Sequence, residues 1–70
     1  MISYQPFWDT LKKKDISTYV LINRFGLSSS TVNRLRHGQP ISTTTIDDLC
    51  RFLNCQVDEI LVYIPDEYTL

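Results

Sequence analysis

Apolar residues recur at helical spacing in three stretches of the chain. Each set follows the i, i+3, i+4, i+7 pattern, which places apolar side chains on one face of a helix. The sets are Tyr4, Phe7, Trp8 and Leu11; Ile46, Leu49, Cys50 and Leu53; and Val57, Ile60, Leu61 and Ile64. No stretch alternates between apolar and polar residues for long enough to predict a strand. The pattern therefore predicts an all-α protein.

Capping residues mark where the helices begin and end. A serine can accept a hydrogen bond from the free amides of a first helical turn, and an apolar residue before it can pack on that turn. Such pairs occur at Ile16-Ser17, Leu27-Ser28 and Ile41-Ser42. Gly26 and Gly38 suit the left-handed residue that ends a helix. Together these signals predict five helices near residues 4–14, 18–25, 29–37, 43–53 and 57–64, followed by a flexible tail over 66–70.

Length and composition exclude several classes of protein. With 70 residues, 43% of them apolar, the chain is expected to form one domain over residues 1–70. It has neither an apolar run long enough to span a bilayer nor a signal peptide, so we expect a cytoplasmic protein without a membrane segment.

Few residues offer catalytic or metal-binding chemistry. Cys50 and Cys55 are not at a metal-ligand spacing from each other or from His37, the one histidine, and we interpret both as small core residues. The serines have no base except His37 and no acid within residues 16–46, so we expect no enzyme activity. We also expect no metal, cofactor or small-molecule ligand.

The charges are divided unequally along the chain. The net charge is −1, but residues 1–38 carry six Lys and Arg against two Asp, whereas residues 39–70 carry one Arg against six Asp and Glu. Such an asymmetry indicates a charged partner, although a chance scatter of solvated side chains is the alternative. The third predicted helix is polar and basic, and residues 16–46 contain no carboxylate, which suits a groove lined by phosphates.

Residues 18–38 resemble the helix-turn-helix of the phage Cro/repressor-type (XRE) DNA-binding domains. The marks of the resemblance are Leu21, Gly26, Leu27, Val32 and Leu35 at the family's spacing, followed by Arg36-His37-Gly38. The resemblance covers roughly residues 4–66 and implies a compact, lambda-repressor-like bundle of five helices. It also implies a sequence-specific transcriptional regulator that binds double-stranded DNA with residues 29–37 in the major groove.

Two groups of site residues follow. The resemblance places Ser29, Ser30 and Arg34 at base-reading positions, where Arg34 can donate two hydrogen bonds to guanine, and Asn33 could pair with adenine. The residues expected to contact phosphates are Thr18, Ser28, Thr31, Arg36, His37 and Thr43. Simpler roles stay open: Arg34 as a solvated side chain, His37 as a partner of the helix dipole, and Thr43 as part of a cap.

Two expectations concern protein partners. The acidic surface of residues 47–67 could make the domain a protein-interaction module instead of a DNA-binding one. Val62 and Tyr63 lie outside the predicted apolar face of the last helix, so they are candidates for the contact of a weak homodimer. The alternative is that these two residues only cover the edge of the core.

Overall fold

The computed structural model describes residues 1–66, which form a mostly helical, compact fold with four α-helices. In chain order the elements are β1 (Ile2–Ser3), α1 (Gln5–Lys14), α2 (Thr18–Phe25), α3 (Ser29–Arg36), α4 (Thr43–Leu53), a 3-10 helix (Val57–Glu59) and β2 (Val62–Tyr63). The first four helices predicted from the sequence are confirmed. Of the predicted tail, only Asp66 lies within the described residues.

The serine caps are formed as the sequence predicts. The side chains of Ser17, Ser28 and Ser42 each accept a hydrogen bond from a backbone N–H of the first turn that follows. Gly26 and Gly38 have φ of +78° and +68°, in the left-handed region where a residue without Cβ is least strained. These local signals fix the bounds of α2, α3 and α4.

A core of apolar side chains joins the four helices. It consists of Tyr4, Phe7, Leu11, Leu21, Leu27, Val32, Leu35, Leu49, Leu53 and Ile60. Cys50 and Cys55 pack against this core as half-buried free thiols, in agreement with their interpretation as small core residues. Among residues 1–66, no helix has the length and hydrophobicity needed to cross a bilayer.

The predicted fifth helix is wrong. Residues 57–59 form a single 3-10 turn, and its end is followed by an extended segment instead of further helical turns. Of the predicted stripe, Ile60 is fully buried and Leu61 is half-buried, but Val57 and Ile64 are 53% and 45% exposed. The apolar spacing was therefore coincidental, because the four side chains do not share a buried face.

The expectation of an all-α fold is wrong for the same segment. β1 and β2 pair antiparallel, with Ile2 opposite Tyr63 and Ser3 opposite Val62. The strand that replaces the helix thus finds its partner some 60 positions earlier in the chain, at the N-terminus. A local periodicity cannot register such a pairing, and each strand is only two residues long.

Candidate nucleic-acid interface

The turn between α2 and α3 sets the angle of the exposed helix. The N–H of Leu27 donates to the carbonyl of Leu21 over 3.0 Å, and the Leu27 side chain enters the core. Ser28 then begins α3, and its Oγ accepts from the N–H of Thr31 over 3.1 Å. Three residues thus reverse the chain, and the connection is that of a helix-turn-helix.

α3 contacts the rest of the protein through a narrow seam. Thr31, Val32 and Leu35 are buried, whereas every other residue of the helix is exposed. The outer face therefore brings together the four predicted base readers, Ser29, Ser30, Asn33 and Arg34. Arg34 forms no ion pair with any carboxylate of residues 1–66, so its guanidinium remains available for a partner.

Ser28 and Thr31 are engaged with each other. Thr31 is buried, and its hydroxyl lies 2.8 Å from the Oγ of Ser28. The hydroxyl of Thr31 therefore faces the cap rather than the outer surface of α3. Ser28 is exposed, although its Oγ is already used in capping.

His37 forms the C-terminal cap of α3. Its Nδ1 lies 2.9 Å from the carbonyl oxygen of Asn33, and Gly38 then allows the N–H of Gln39 to donate to the carbonyl of Arg34 over 2.9 Å. Since Nδ1 faces a carbonyl oxygen, only Nε2 is left for an external ligand. The structure thus forms the dipole contact that the sequence left as an alternative for His37, while the side chain stays exposed.

Thr18 and Thr43 occupy equivalent places at two helix N-termini. Each is the first residue after a capping serine, Ser17 or Ser42. The amides of a first helical turn lack intrahelical partners and favour anions. Thr18 is half-buried and Thr43 is exposed, so both lie at the surface of the domain.

Two residues of the first apolar set, Tyr4 and Trp8, also contact the C-terminal end of α3 and the residues just after it. The Tyr4 hydroxyl donates to the carbonyl of Gln39 over 2.8 Å, and Nε1 of Trp8 donates to the carbonyl of Leu35 over 3.4 Å. The Trp8 ring also lies under the guanidinium of Arg36. Sequence analysis assigned Tyr4 and Trp8 to the core alone. The sequence signal for these hydrogen bonds was the polar end of each side chain, which needs a partner when the ring is buried.

The acidic half of the chain is partly neutralised within itself. Arg51 contacts Asp47 over 3.3 Å and Asp48 over 2.7 Å, and these are the ion pairs found among residues 1–66. Glu59 accepts from the N–H of Gln56 over 3.1 Å. Arg51 therefore offsets one negative charge of the surface proposed for a basic protein partner, whose last acidic residue, Glu67, lies outside the described residues.

An open, largely aliphatic groove of ≈ 620 Å³ lies at the end of α3, bordered by Ile2, Tyr4, His37, Ile41, Ile46 and Leu61. Its volume falls within the range of small-molecule sites, but such sites also need a few polar groups that orient a ligand. The Tyr4 hydroxyl already donates to Gln39, and no buried polar side-chain atom within residues 1–66 lacks a partner. In the same part of the chain, no group of three potential ligands could hold a metal ion.

Comparison with known proteins gives three matches. The family model of the Cro/C1-type HTH DNA-binding domain matches residues 7–66. The HTH-type transcriptional regulator YozG of Bacillus subtilis (strain 168) is 33% identical over an alignment of 61 positions that covers 84% of this chain and 73% of that protein. The crystal structure of the transcriptional regulator VanUg superposes with a TM-score of 0.83 at 29% identity, over 93% of this chain and 87% of the other.

These matches agree with the geometry of α2 and α3. The family model includes the whole helix-turn-helix, and both named relatives are transcriptional regulators. The chain belongs to the Cro/C1-type helix-turn-helix DNA-binding domains and is a DNA-binding transcriptional regulator.

Proposed function

We propose that the protein recognises a specific sequence of double-stranded DNA by inserting α3 into the major groove. The observation that carries this proposal is the outer face of α3, where exposed hydroxyl, amide and guanidinium groups stand together without a carboxylate. A groove lined by phosphates attracts such a face, and base edges in the major groove offer hydrogen-bond partners to each of these groups.

The residues of this face divide into two roles. Arg34, with no ion-pair partner in residues 1–66, donates to guanine N7 and O6, while Asn33, Ser29 and Ser30 contact neighbouring base edges. Arg36 contacts a phosphate at the far end of the helix, and His37 donates to one through Nε2–H when both ring nitrogens carry a proton. Bases supply specificity in this arrangement, and phosphates supply orientation and most of the salt-dependent affinity.

The N-termini of α2 and α4 supply further phosphate contacts. At each, the capping serine leaves the first amides of the helix free, and Thr18 or Thr43 adds a hydroxyl. Ser28 and Thr31 take part differently from the sequence-based expectation, because their hydroxyls contact each other. At that end of α3, the free amides of Ser29 and Ser30 are the better donors to a phosphate.

We further infer that two copies bind together. One recognition helix reads only a few base pairs, and paired domains on half-sites one helical turn apart solve this problem. Val62 and Tyr63 are 43% and 61% exposed on β2, beside exposed Ile2 and Ile64. Because β2 pairs only with β1 among residues 1–66, its other edge can extend the sheet into a second copy.

The remaining expectations from the sequence stay predictions. They are a cytoplasmic location, a single domain over residues 1–70, and the absence of enzyme activity. The acidic surface gains no support as a docking site, since Arg51 and Gln56 already occupy three of its carboxylates.

The experiment that tests DNA recognition is selection of bound duplexes from random DNA, followed by titration over a salt series. We expect one preferred sequence, with an affinity that falls by orders of magnitude between about 50 and 200 mM salt. Enrichment of no sequence, together with no binding at low salt, would contradict the proposal.

The dimer is tested separately with Val62→Asp. A charge at this edge should abolish cooperative binding to a two-half-site duplex while leaving the affinity for a single half-site within about twofold. Asp66→Asn, just beyond the same edge, is the matched control and should retain cooperativity. Wild-type binding to one half-site with one-to-one stoichiometry, on a selected sequence without symmetry, would refute the dimer.

A further inference from the structure

We propose that Trp8, in α1 and outside the helix-turn-helix, is a positioning residue for DNA binding that acts through Arg36. In this role the indole holds the Arg36 guanidinium at the edge of the interface, oriented toward a backbone phosphate. The inference rests on the proposed function of α3 and assigns a recognition role to a side chain that the apolar pattern ascribes only to the core.

The indole is held in place from two directions. Its Nε1 donates to the carbonyl of Leu35 over 3.4 Å, and its ring packs edge-on against Phe7, with centroids 4.9 Å apart and planes at 79°. Phe7 is fully buried. Trp8 is therefore a fixed surface rather than a side chain that could follow a mobile arginine.

Arg36 lies over this surface. The Cζ atom of Arg36 is 5.5 Å from the centroid of the Trp8 ring, and no carboxylate of residues 1–66 forms an ion pair with the arginine. A guanidinium held over an aromatic face by a cation–π contact makes no hydrogen bond to an oxygen there, so its N–H groups stay free to donate. The contact thus orders the side chain before DNA arrives and consumes none of its donors, which lowers the entropy lost on binding.

The contact also separates the two arginines of α3. Residues two positions apart on a helix point in directions about 200° apart, so Arg34 and Arg36 lie on opposite flanks of the outer face. Arg36 is on the flank beside α1, where Trp8 holds it, while Arg34, on the other flank, lies over no aromatic ring of residues 1–66. A fixed arginine suits a phosphate, whose position changes little with sequence, and a free one suits a base edge.

The test is a double-mutant cycle on the selected duplex with Trp8→Leu, Arg36→Ala and their combination. A cation–π contact at an exposed site corresponds to roughly a two- to fivefold change in affinity. We expect Trp8→Leu to weaken binding by this factor in the wild-type background and to have no further effect when Arg36 is alanine. Trp8→Phe, which keeps an aromatic face, should restore most of the loss.

Tyr4→Phe is the structural control. It removes the hydrogen bond from Tyr4, just before α1, to Gln39, at the same end of α3, without touching Arg36. Any effect of Tyr4→Phe should persist undiminished in the Arg36→Ala background. Arg36→Lys gives an independent reading, because it alters only an exposed side chain. The lysine keeps the charge but loses the broad guanidinium that lies over the ring, so we expect a loss like that of Trp8→Leu and no additional loss in the Trp8→Leu background.

A measurement without DNA separates this inference from the proposed function. In the free protein, the ring current of Trp8 should shift the side-chain NMR signals of Arg36 upfield, and Trp8→Leu should abolish that shift. Unshifted Arg36 signals, or equal losses from Trp8→Leu in both backgrounds, would overturn the positioning role while leaving DNA recognition intact. Absence of wild-type binding to any duplex would instead overturn the proposed function and this inference together.

Discussion

Two parts of the chain reach their structures by different routes. The capped segment, residues 17–53, contains three helices that each begin at a serine cap, and its core residues lie at helical spacing. The closing segment, residues 54–66, has apolar residues at the same spacing but forms a 3-10 turn and a strand. Apolar periodicity predicts a helix reliably only where caps and turn residues agree with it.

The local signals of the closing segment show why its periodicity misled. Gln56 and Glu59 form a capping box at the start of the turn, in which the N–H of Gln56 donates to the carboxylate of Glu59 over 3.1 Å. The N–H of Ile60 and that of Leu61 both donate to the carbonyl of Val57, over 2.9 and 3.1 Å, which closes one turn, and β2 then begins at Val62 instead of a second turn. The segment then pairs with β1, and this distant partner determines its conformation.

A helix and a 3-10 turn in the closing segment predict different effects on the free energy of unfolding, and the difference is largest at Ile60 and Val57. Ile60 is fully buried, so Ile60→Ala should lower the free energy of unfolding by about 2–5 kcal/mol. Val57 is 53% exposed, so Val57→Ala should change it by less than about 1 kcal/mol. Chemical denaturation measures both. Similar losses for the two variants would favour the helical stripe that the sequence predicted and contradict the 3-10 turn.

The second prediction concerns which segment recognises DNA. Arg34→Ala, in the capped segment, should cost about 1–3 kcal/mol of binding free energy on the preferred duplex and relax selectivity at one base pair. Asp58→Asn, at an exposed site of the closing segment, should leave that selectivity unchanged. Titration against the preferred duplex and its single-base variants measures both effects.

Thr18→Ala distinguishes base reading from positioning within the capped segment. Because a phosphate contact carries no sequence information, this variant should weaken binding to every duplex by the same factor. A loss of equal size for Arg34→Ala on preferred and random DNA would show that Arg34 touches only the backbone. Base-dependent losses for Thr18→Ala would likewise contradict its assignment to phosphate.

The sequence patterns predict the capped segment, which contains the helix-turn-helix, better than the closing segment. Three helices could be predicted from Ser17, Ser28 and Ser42, because a cap is a local interaction between residues three positions apart. The exposed face of α3 follows from its narrow apolar seam. The contacts of Tyr4 and Trp8 with the end of α3 span 35 and 27 positions, so no local pattern contains them. Thr31 shows where the prediction of single side chains fails. Its hydroxyl contacts the Oγ of Ser28, and no sequence pattern reveals that partner.

The fourth prediction compares the two kinds of helix start. Ser42→Ala removes an acceptor for the N–H of Thr45, so it should lower the free energy of unfolding by about 0.5–2 kcal/mol. Gln56→Ala keeps the backbone N–H that donates to Glu59, so it should cost less than about 0.5 kcal/mol. Thermal unfolding of the two variants, followed by circular dichroism, measures the difference. Equal costs would mean that side-chain capping contributes no more in the capped segment than in the closing one.

The last effect is confined to alkaline pH and is expected from Cys55, at the junction of the two segments. Burial, with the nearby Cys50 thiol as a second cause, raises the pKa of Cys55 from 9.0 to about 11. The folded protein therefore holds this proton more tightly than the unfolded chain does between pH 9.0 and about 11. Stability from this group is complete below pH 9.0 and declines as the pH rises through that window.

Cys55→Ala isolates this contribution, because the two proteins are otherwise identical. Between pH 9 and 11, wild-type protein should lose stability faster than the variant, by a difference that denaturation curves at several pH values can measure. Below pH 9.0 the difference in stability between the two proteins should be constant. The thiol should also react slowly with iodoacetamide at pH 8, since the thiolate is the nucleophile. Parallel pH profiles together with rapid alkylation would show that Cys55 lies in water rather than against the core. The start of the closing segment would then not pack against the capped helices.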